Sequence, residues 1–105
     1  MSRVSKVQVS SATTSNPIVI DHLAENFAVG FAVTLGGGTM TYDVEHTFDD
    51  IQDPSVTPTW FDHSSVAAKV NVNADGNYAF PVRAIRLNVT AYTSGTATLT
   101  VIQSR

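Results

Sequence analysis

The sequence predicts an all-β protein, a two-sheet antiparallel sandwich of Greek-key or jelly-roll type, with a small closed barrel as the alternative. Three observations carry that expectation. Short apolar segments alternate with period two and recur at near-regular spacing between Gly, Pro, Asn and Asp turn signals. No segment has the 3.6-residue apolar period of an amphipathic helix. The polar residues are mainly Thr, Ser and Asn, and only 14% of the 105 residues are charged, the surface chemistry of a β protein.

The elements follow in chain order. Residues 4–9 read as a short strand, with Val4, Lys6 and Gln8 on one face and Ser5, Val7 and Val9 on the other. "SSATTSNP" is a small-polar connector, so residues 1–16 can serve as a flexible arm ahead of a single sandwich domain at 17–105. Ile18, Val19 and Ile20 form a brief apolar strand. In "FAVGFAVTL", Phe27, Val29, Phe31, Val33 and Leu35 hold every second position, so this strand has one core face. "GGG" at 36–38 interrupts it, and "TMTYDVEHTF" resumes the alternation through Met40, Tyr42, Val44, His46 and Phe48; the pair reads as a hairpin.

"DDIQDPSVTP" has no period and reads as the longest loop of the middle chain. "TWFDHSSVAAKVNV" is compatible with a short strand or a helical turn. Asp75-Gly76 is a tight-turn signal. Beyond it, Ile85, Leu87, Val89 and Ala91 alternate against Arg86, Asn88, Thr90 and Tyr92. Thr93-Ser94-Gly95 then turns the chain into a last strand with Ala97, Leu99 and Val101 inward, so the end of the chain reads as a sheet-closing meander.

Composition bounds the function classes. At this length one core can bury about two thirds of the unfolded chain's surface, enough to fold unaided. A net charge of −3 supplies no basic field for phosphates, so nucleic acid is not an expected partner. No window approaches the roughly 20 apolar residues of a membrane helix, and the start lacks a signal-peptide core, so synthesis and folding in a host cytoplasm are expected, with no membrane partner. The absence of cysteine removes disulfides and thiolate metal sites.

Each histidine neighbours an acid (Asp21-His22, Glu45-His46, Asp62-His63), but no HxH or HExxH spacing is present, and ordinary histidines are expected rather than ligands. The serines lack a G-x-S-x-G elbow, and an enzyme would need Asp62, His63 and Ser64 to converge, so no catalytic residue, metal or cofactor is expected. Asp43, Glu45, Asp49, Asp50 and Asp53 supply oxygen ligands of the kind Ca²⁺ takes, without the spacing of a calcium loop; a solvated acidic loop, or one facing a basic partner, is the plainer reading. Trp60-Phe61 is an adjacent aromatic pair whose members must face opposite ways in a strand; it can plug one end of the sandwich or anchor an interface. Asn88-Val89-Thr90 matches a glycosylation sequon.

Trp60-Phe61, the Asp75–Tyr78 turn, "PVRAIRLNV" at 81–89 and "GTATLTVIQ" at 95–103 stand in an order that resembles a group of short proteins from the structural gene clusters of tailed bacteriophages. "TMTYDVEHTFDD" extends that likeness, which covers residues 27–103. The resemblance implies a jelly-roll-like virion structural protein, a capsid decoration or cement protein on the outer head surface, with the major capsid protein as partner and a homo-oligomer, dimer or trimer, as its assembly. It carries no active-site residue with it. The expected contact residues are Val4, Val7 and Val9 of the arm, Asp49, Asp50 and Asp53 of the loop, and Trp60 and Phe61. The alternative is a receptor- or carbohydrate-binding head-fibre or tail component, presenting Trp60, Phe61, Tyr78 and Tyr92 to sugars.

Overall fold

In the computed structural model, which describes residues 2–21 and 28–104, the chain is all β. Its strands are β1 (Ser2–Val9), β2 (Ile18–Val19), β3 (Val29–Leu35), β4 (Met40–Thr47), β5 (Trp60–Asp62), β6 (Lys69–Val70), β7 (Ala74–Tyr78), β8 (Ala84–Tyr92) and β9 (Ala97–Ser104). One sheet has the order β1-β9-β3-β7; the other runs β2-β8-β4-β5, with β6 also on β4. Every pairing is antiparallel.

The pairs β1·β9, β2·β8, β3·β7 and β4·β5 are those of one long ribbon folded on itself and wrapped into two layers, which is a jelly roll. The fold class expected from the sequence is therefore the observed one, and the barrel alternative is not. β5 and β6 lie end to end along one edge of β4, separated by a turn whose His63 N–H and Val66 carbonyl both bond to Val44. The segment left between strand and helical turn thus holds two short strands.

Three local expectations fail for one reason, the wrapping of the ribbon. β3 and β4 are not a hairpin: β3 belongs to one sheet and β4 to the other, so Gly36–Gly38 is an arch between layers. Likewise β8 and β9 sit in different sheets, and the chain's end is a second arch rather than a meander. Asp75-Gly76 lies inside β7, opposite Ala32 and Phe31, instead of at a turn. Glycine is needed there for space, since a Cβ at position 76 would come within 2.8 Å of Phe31 and 3.1 Å of His63.

The core fills the gap between layers with the inward-phase residues. Val29, Phe31 and Val33 of β3, Ala97, Leu99 and Val101 of β9 and Val9 of β1 meet Met40, Tyr42 and Val44 of β4 and Ile85, Leu87 and Val89 of β8. Gln103 continues the β9 phase into the interior, where its amide donates to the Asp21 carbonyl and accepts from the Asp21 N–H at 2.7 and 2.9 Å. The β8 phase reverses beyond Val89 because Thr90 is an extra residue: Tyr42 pairs with Val89 but Thr41 with Ala91. This bulge turns Ala91 outward and Tyr92 toward the core, the opposite of strict alternation.

Within residues 1–16, Ser2–Val9 lie along β9 as an edge strand, and Thr14 and Ser15 lie beside β8. His22 and Phe27 fall outside the described residues.

Candidate functional site

β4 runs from the arches to the opposite end of the sandwich, where its inward phase leaves the aliphatic core and continues as His46 and Phe48. Register places Phe61 of β5 opposite His46. Tyr78, the last residue of β7, closes the site from the other layer, and Phe80 follows two residues on. The result is a run of rings from core to solvent.

Phe31 packs against Tyr78 and His63 at 5.5 and 4.9 Å between centroids. Tyr78 meets both histidines at 5.0 Å. His46 is then surrounded by Phe48, Phe61 and Phe80 at 5.4, 6.0 and 5.9 Å. Tyr78 and His46 are buried, whereas Phe48, Phe61 and Phe80 are 50, 49 and 48% exposed. Three half-exposed phenylalanines, Phe61 and Phe80 each packed against Phe48, form a contiguous apolar patch, in contrast to an isolated surface hydrophobe.

The polar atoms beneath the patch are satisfied. The Tyr78 hydroxyl lies 2.9 Å from His46 Nδ1. Burial, with Asp62 adding to it, pushes the Tyr78 phenol far above its ordinary range, so it keeps its proton and donates to that nitrogen in the Nε2–H tautomer of His46. Burial, then the neighbouring His63, lowers the pKa of His46, so the ring stays neutral. His63 Nδ1 accepts the Ser65 N–H at 3.1 Å, which leaves Nε2–H to donate to the Asn77 carbonyl at 3.0 Å. Both ring nitrogens of His63 are thereby committed to the backbone. Asp62 stands opposite Glu45, and with both His63 nitrogens on the backbone the Asp62, His63, Ser64 sequence is not joined as a relay.

A cleft of about 400 Å³ opens beside the patch, lined by Asp62, His63, Ser64, Ser65, Asn77 and Phe80 among others. It has an aromatic wall and a polar rim.

The second cluster lies on the outer face of the β4 sheet. Asp43, Glu45 and Asp62 bring one carboxylate oxygen each within 4.8 Å of one another. Glu45 accepts from Arg86 Nε at 2.7 Å and Asn88 Nδ2 at 3.0 Å, and Asp43 accepts from the Ala68 N–H. Desolvation, then repulsion from Asp43 and Glu45 and a hydrogen bond to Glu45, raise the Asp62 pKa. The Arg86 guanidinium also covers the Trp60 ring at 4.1 Å.

The expected contact residues therefore divide. Phe61 joins the patch and Trp60 the opposite, ionic face, as strand alternation requires. Of the arm residues Val4 is exposed, Val7 packs on the core and Val9 is buried within it. The loop acids hold their own turns: Asp49 accepts from the Thr59 N–H, Asp50 from the Gln52 N–H while pairing with Arg83 at 3.6 Å, and Asp53 from Ser55. That pair of bonds to Ser55 lowers the Asp53 pKa. The acidic run does not converge; only Asp43 and Glu45 meet, joined by Asp62. Among the aromatics proposed for sugars, Tyr78 is buried and Tyr92 is half-buried with its hydroxyl on the Gly95 carbonyl. Phe48 and Phe80 are the residues sequence reasoning missed. Phe48 was legible as the next inward position after His46; nothing in the pattern marks Phe80.

No protein-family model matches the chain, and no curated protein does. Solved structures share its fold. The SPBc2 prophage-derived protein YomS is 6% identical with a TM-score of 0.56, covering 99% of this chain and 96% of that one. A subunit of the disulfide-linked pili of Bacillus endospore appendages is 11% identical, with a TM-score of 0.51 and 99 and 87% coverage. A chain of the acid-stable capsid of Helicobacter pylori bacteriophage KHP30 is 10% identical, with a TM-score of 0.47 and 97 and 86% coverage. At such identities the YomS and spore-appendage structures show the jelly-roll fold alone, shared by a prophage-derived protein and a pilus.

Proposed function

We propose that this chain is a non-enzymatic virion structural protein of a tailed bacteriophage, a decoration or cement protein that binds the outer head lattice and stabilises the major capsid subunits. The observation that carries the reading is the Phe48, Phe61 and Phe80 patch, seated on the buried His46 and His63 at one end of the two-layer scaffold. Exposed contiguous aromatics cost solubility unless a partner covers them, and aromatic anchors dominate protein-contact energetics. The resemblance of residues 27–103 to phage structural proteins supplies the kind of partner, and repetition over a lattice turns a modest contact into avidity.

The test is to add purified protein to heads that lack it and follow co-sedimentation and head melting. Saturable binding with a raised head melting temperature is expected. The double variant Phe61→Ser, Phe80→Ser should lose binding while still melting cooperatively, within about 10 °C of the parent. Binding that survives the double variant would remove the aromatic end from the contact, and failure of the parent chain to bind would remove the capsid role.

A second reading, a receptor- or carbohydrate-binding component of a head fibre or tail, is favoured by the cleft beside Phe80. Its ring wall and its Asp62, Ser64 and Asn77 rim are the mixed chemistry a sugar ring uses. A glycan array of host surface polysaccharides that gives binding lost in Phe80→Ala supports it; an empty array counts against it.

A further inference from the structure

The four lateral edges of the two sheets are not alike. β2 offers two residues, and β5 with β6 offers three plus two, broken by a turn and by positive φ at Ala68 and Asn71. β7 offers five, with Asp75 and Asn77 turned to solvent. β1 offers eight residues in unbroken register with β9, without proline, acid or bulge. Alternate residues of such a strand turn their N–H and C=O groups away from the sheet, and proteins ordinarily blunt an edge of this length. Among the described residues three edges are short, broken or acidic, and the outer edge of β1 is unpaired along its whole length, guarded only by the charges of Arg3 and Lys6.

The open edge also carries an apolar pair. Val4 and Ile102 are cross-strand partners on the outer face, 56 and 48% exposed. From these two observations the geometry points to β1 as the homodimer interface: a second copy of this chain pairs antiparallel along β1, joining two four-stranded sheets into one of eight. Antiparallel pairing of identical strands is self-complementary about a two-fold axis, so one contact satisfies both edges and leaves neither open.

Chemistry selects the register. An axis perpendicular to the sheet keeps outer face with outer face, so a residue can oppose only one of its own parity. An axis on Lys6 would set like charges directly opposite and is disfavoured. An axis on Ser5 pairs Val4 with Lys6 of the second copy and overlaps residues 2–8, as long a pairing as the Lys6 axis gives. It brings the two Val4–Ile102 pairs to diagonal contact across the axis, and the aliphatic stem of Lys6 lies over them. This surface is separate from the aromatic end and stands whether or not that end binds a capsid.

The test uses the full chain. Sedimentation equilibrium in the micromolar range should give a dimer, and Val4→Asp should raise its dissociation constant about tenfold or more while leaving the melting temperature unchanged at concentrations where both chains are monomers. Because the chain has no cysteine, single-cysteine variants read the register directly. Ser5→Cys should form a disulfide-linked dimer on mild oxidation, since directly opposed positions place their Cβ atoms about 4.5–5.5 Å apart; Lys6→Cys should cross-link far more slowly. A monomer at all concentrations, a dimer indifferent to Val4→Asp, or cross-linking led by Lys6→Cys would overturn the proposed interface or its register.

Discussion

The two ends of β4 are built on opposite plans. At the Met40 end, two inter-sheet arches close the sandwich with backbone against backbone. Thr93 N–H donates to the Thr39 carbonyl at 2.9 Å and Gly36 N–H to the Thr96 carbonyl at 2.9 Å. Gly37, Gly38 and Gly95 take φ values of 83, 87 and 93°. At the Thr47 end, side chains close the sandwich, and the outermost are left half in water. Backbone bonds seal the first end, whereas rings seal the second and leave a contiguous aromatic surface there without loosening the fold. That contrast separates the residues that make the protein stable from those proposed to make it useful.

The largest test of the contrast falls on the arches. A Cβ on Gly95 would stand 2.0 Å from the Gly37 carbonyl oxygen, and one on Gly38 would stand 2.2 Å from that of Ser94. Both positions also require a left-handed backbone that a side chain resists. Gly95→Ala or Gly38→Ala should therefore cost roughly 3 kcal/mol or more, lowering the melting temperature by about 12 °C or more in a domain of this size. A melt within about 3 °C of the parent would show that the arches are loosely packed and the contrast is wrong.

The intermediate tests lie between the core and the aromatic patch. Gly76→Ala pushes a methyl into the edges of Phe31 and His63, an overpacking worth about 1–3 kcal/mol. Tyr78→Phe leaves His46 Nδ1 buried without its donor, at about 1–2 kcal/mol. Phe61→Ser or Phe80→Ser should cost under about 1 kcal/mol, because each ring is already half solvated. Urea denaturation of the four variants checks the ranking. If the phenylalanine variants proved as costly as Gly76→Ala, the patch would be a structural plug.

The same contrast explains what could be read beforehand. Side-chain parity within a strand is a local property, so the core faces of β3, β4 and β9 were legible residue by residue. Strand partnership is not local. Gly36–Gly38 looks alike in a hairpin and in an arch, and only the wrap of the whole ribbon, which sets Ser94 against Gly38, decides between them. Asp75-Gly76 misled because glycine serves both turns and close packing, and Phe31, which needs that space, lies far off in sequence. Thr90 gives no sign of the bulge that reverses Ala91 and Tyr92. The site was half visible: the phase of β4 leads to His46 and Phe48, and alternation separates Trp60 from Phe61. The convergence of Tyr78, His63 and Phe80 on that phase depends on the opposite layer.

The smallest effect is a pH dependence in which the histidine under the patch and the acid on the outer face oppose each other. His46 has its pKa depressed below the ordinary 6.5, chiefly by burial and then by His63. The unfolded chain therefore takes up a proton at this residue before the folded one does, and stability from this group is complete above about pH 6.5 and falls as the pH drops below it, levelling off under the folded pKa. Asp62 has its pKa raised above 3.8, first by desolvation and then by Asp43 and Glu45. Here the folded state holds the proton longer, so stability from this group is full below about pH 3.8 and is lost as the pH rises through the folded value. Melting curves should show a decline from pH 7 to 5 that Asp62→Asn leaves in place and His46→Phe flattens. Because a proton on His46 Nδ1 reverses its hydrogen bond with Tyr78 and sets a charge beneath the rings, the decline and the change in ring packing, followed by near-UV circular dichroism, should share one midpoint. A decline that persists unchanged in His46→Phe would locate the titrating group elsewhere and remove the histidine from the support of the aromatic end.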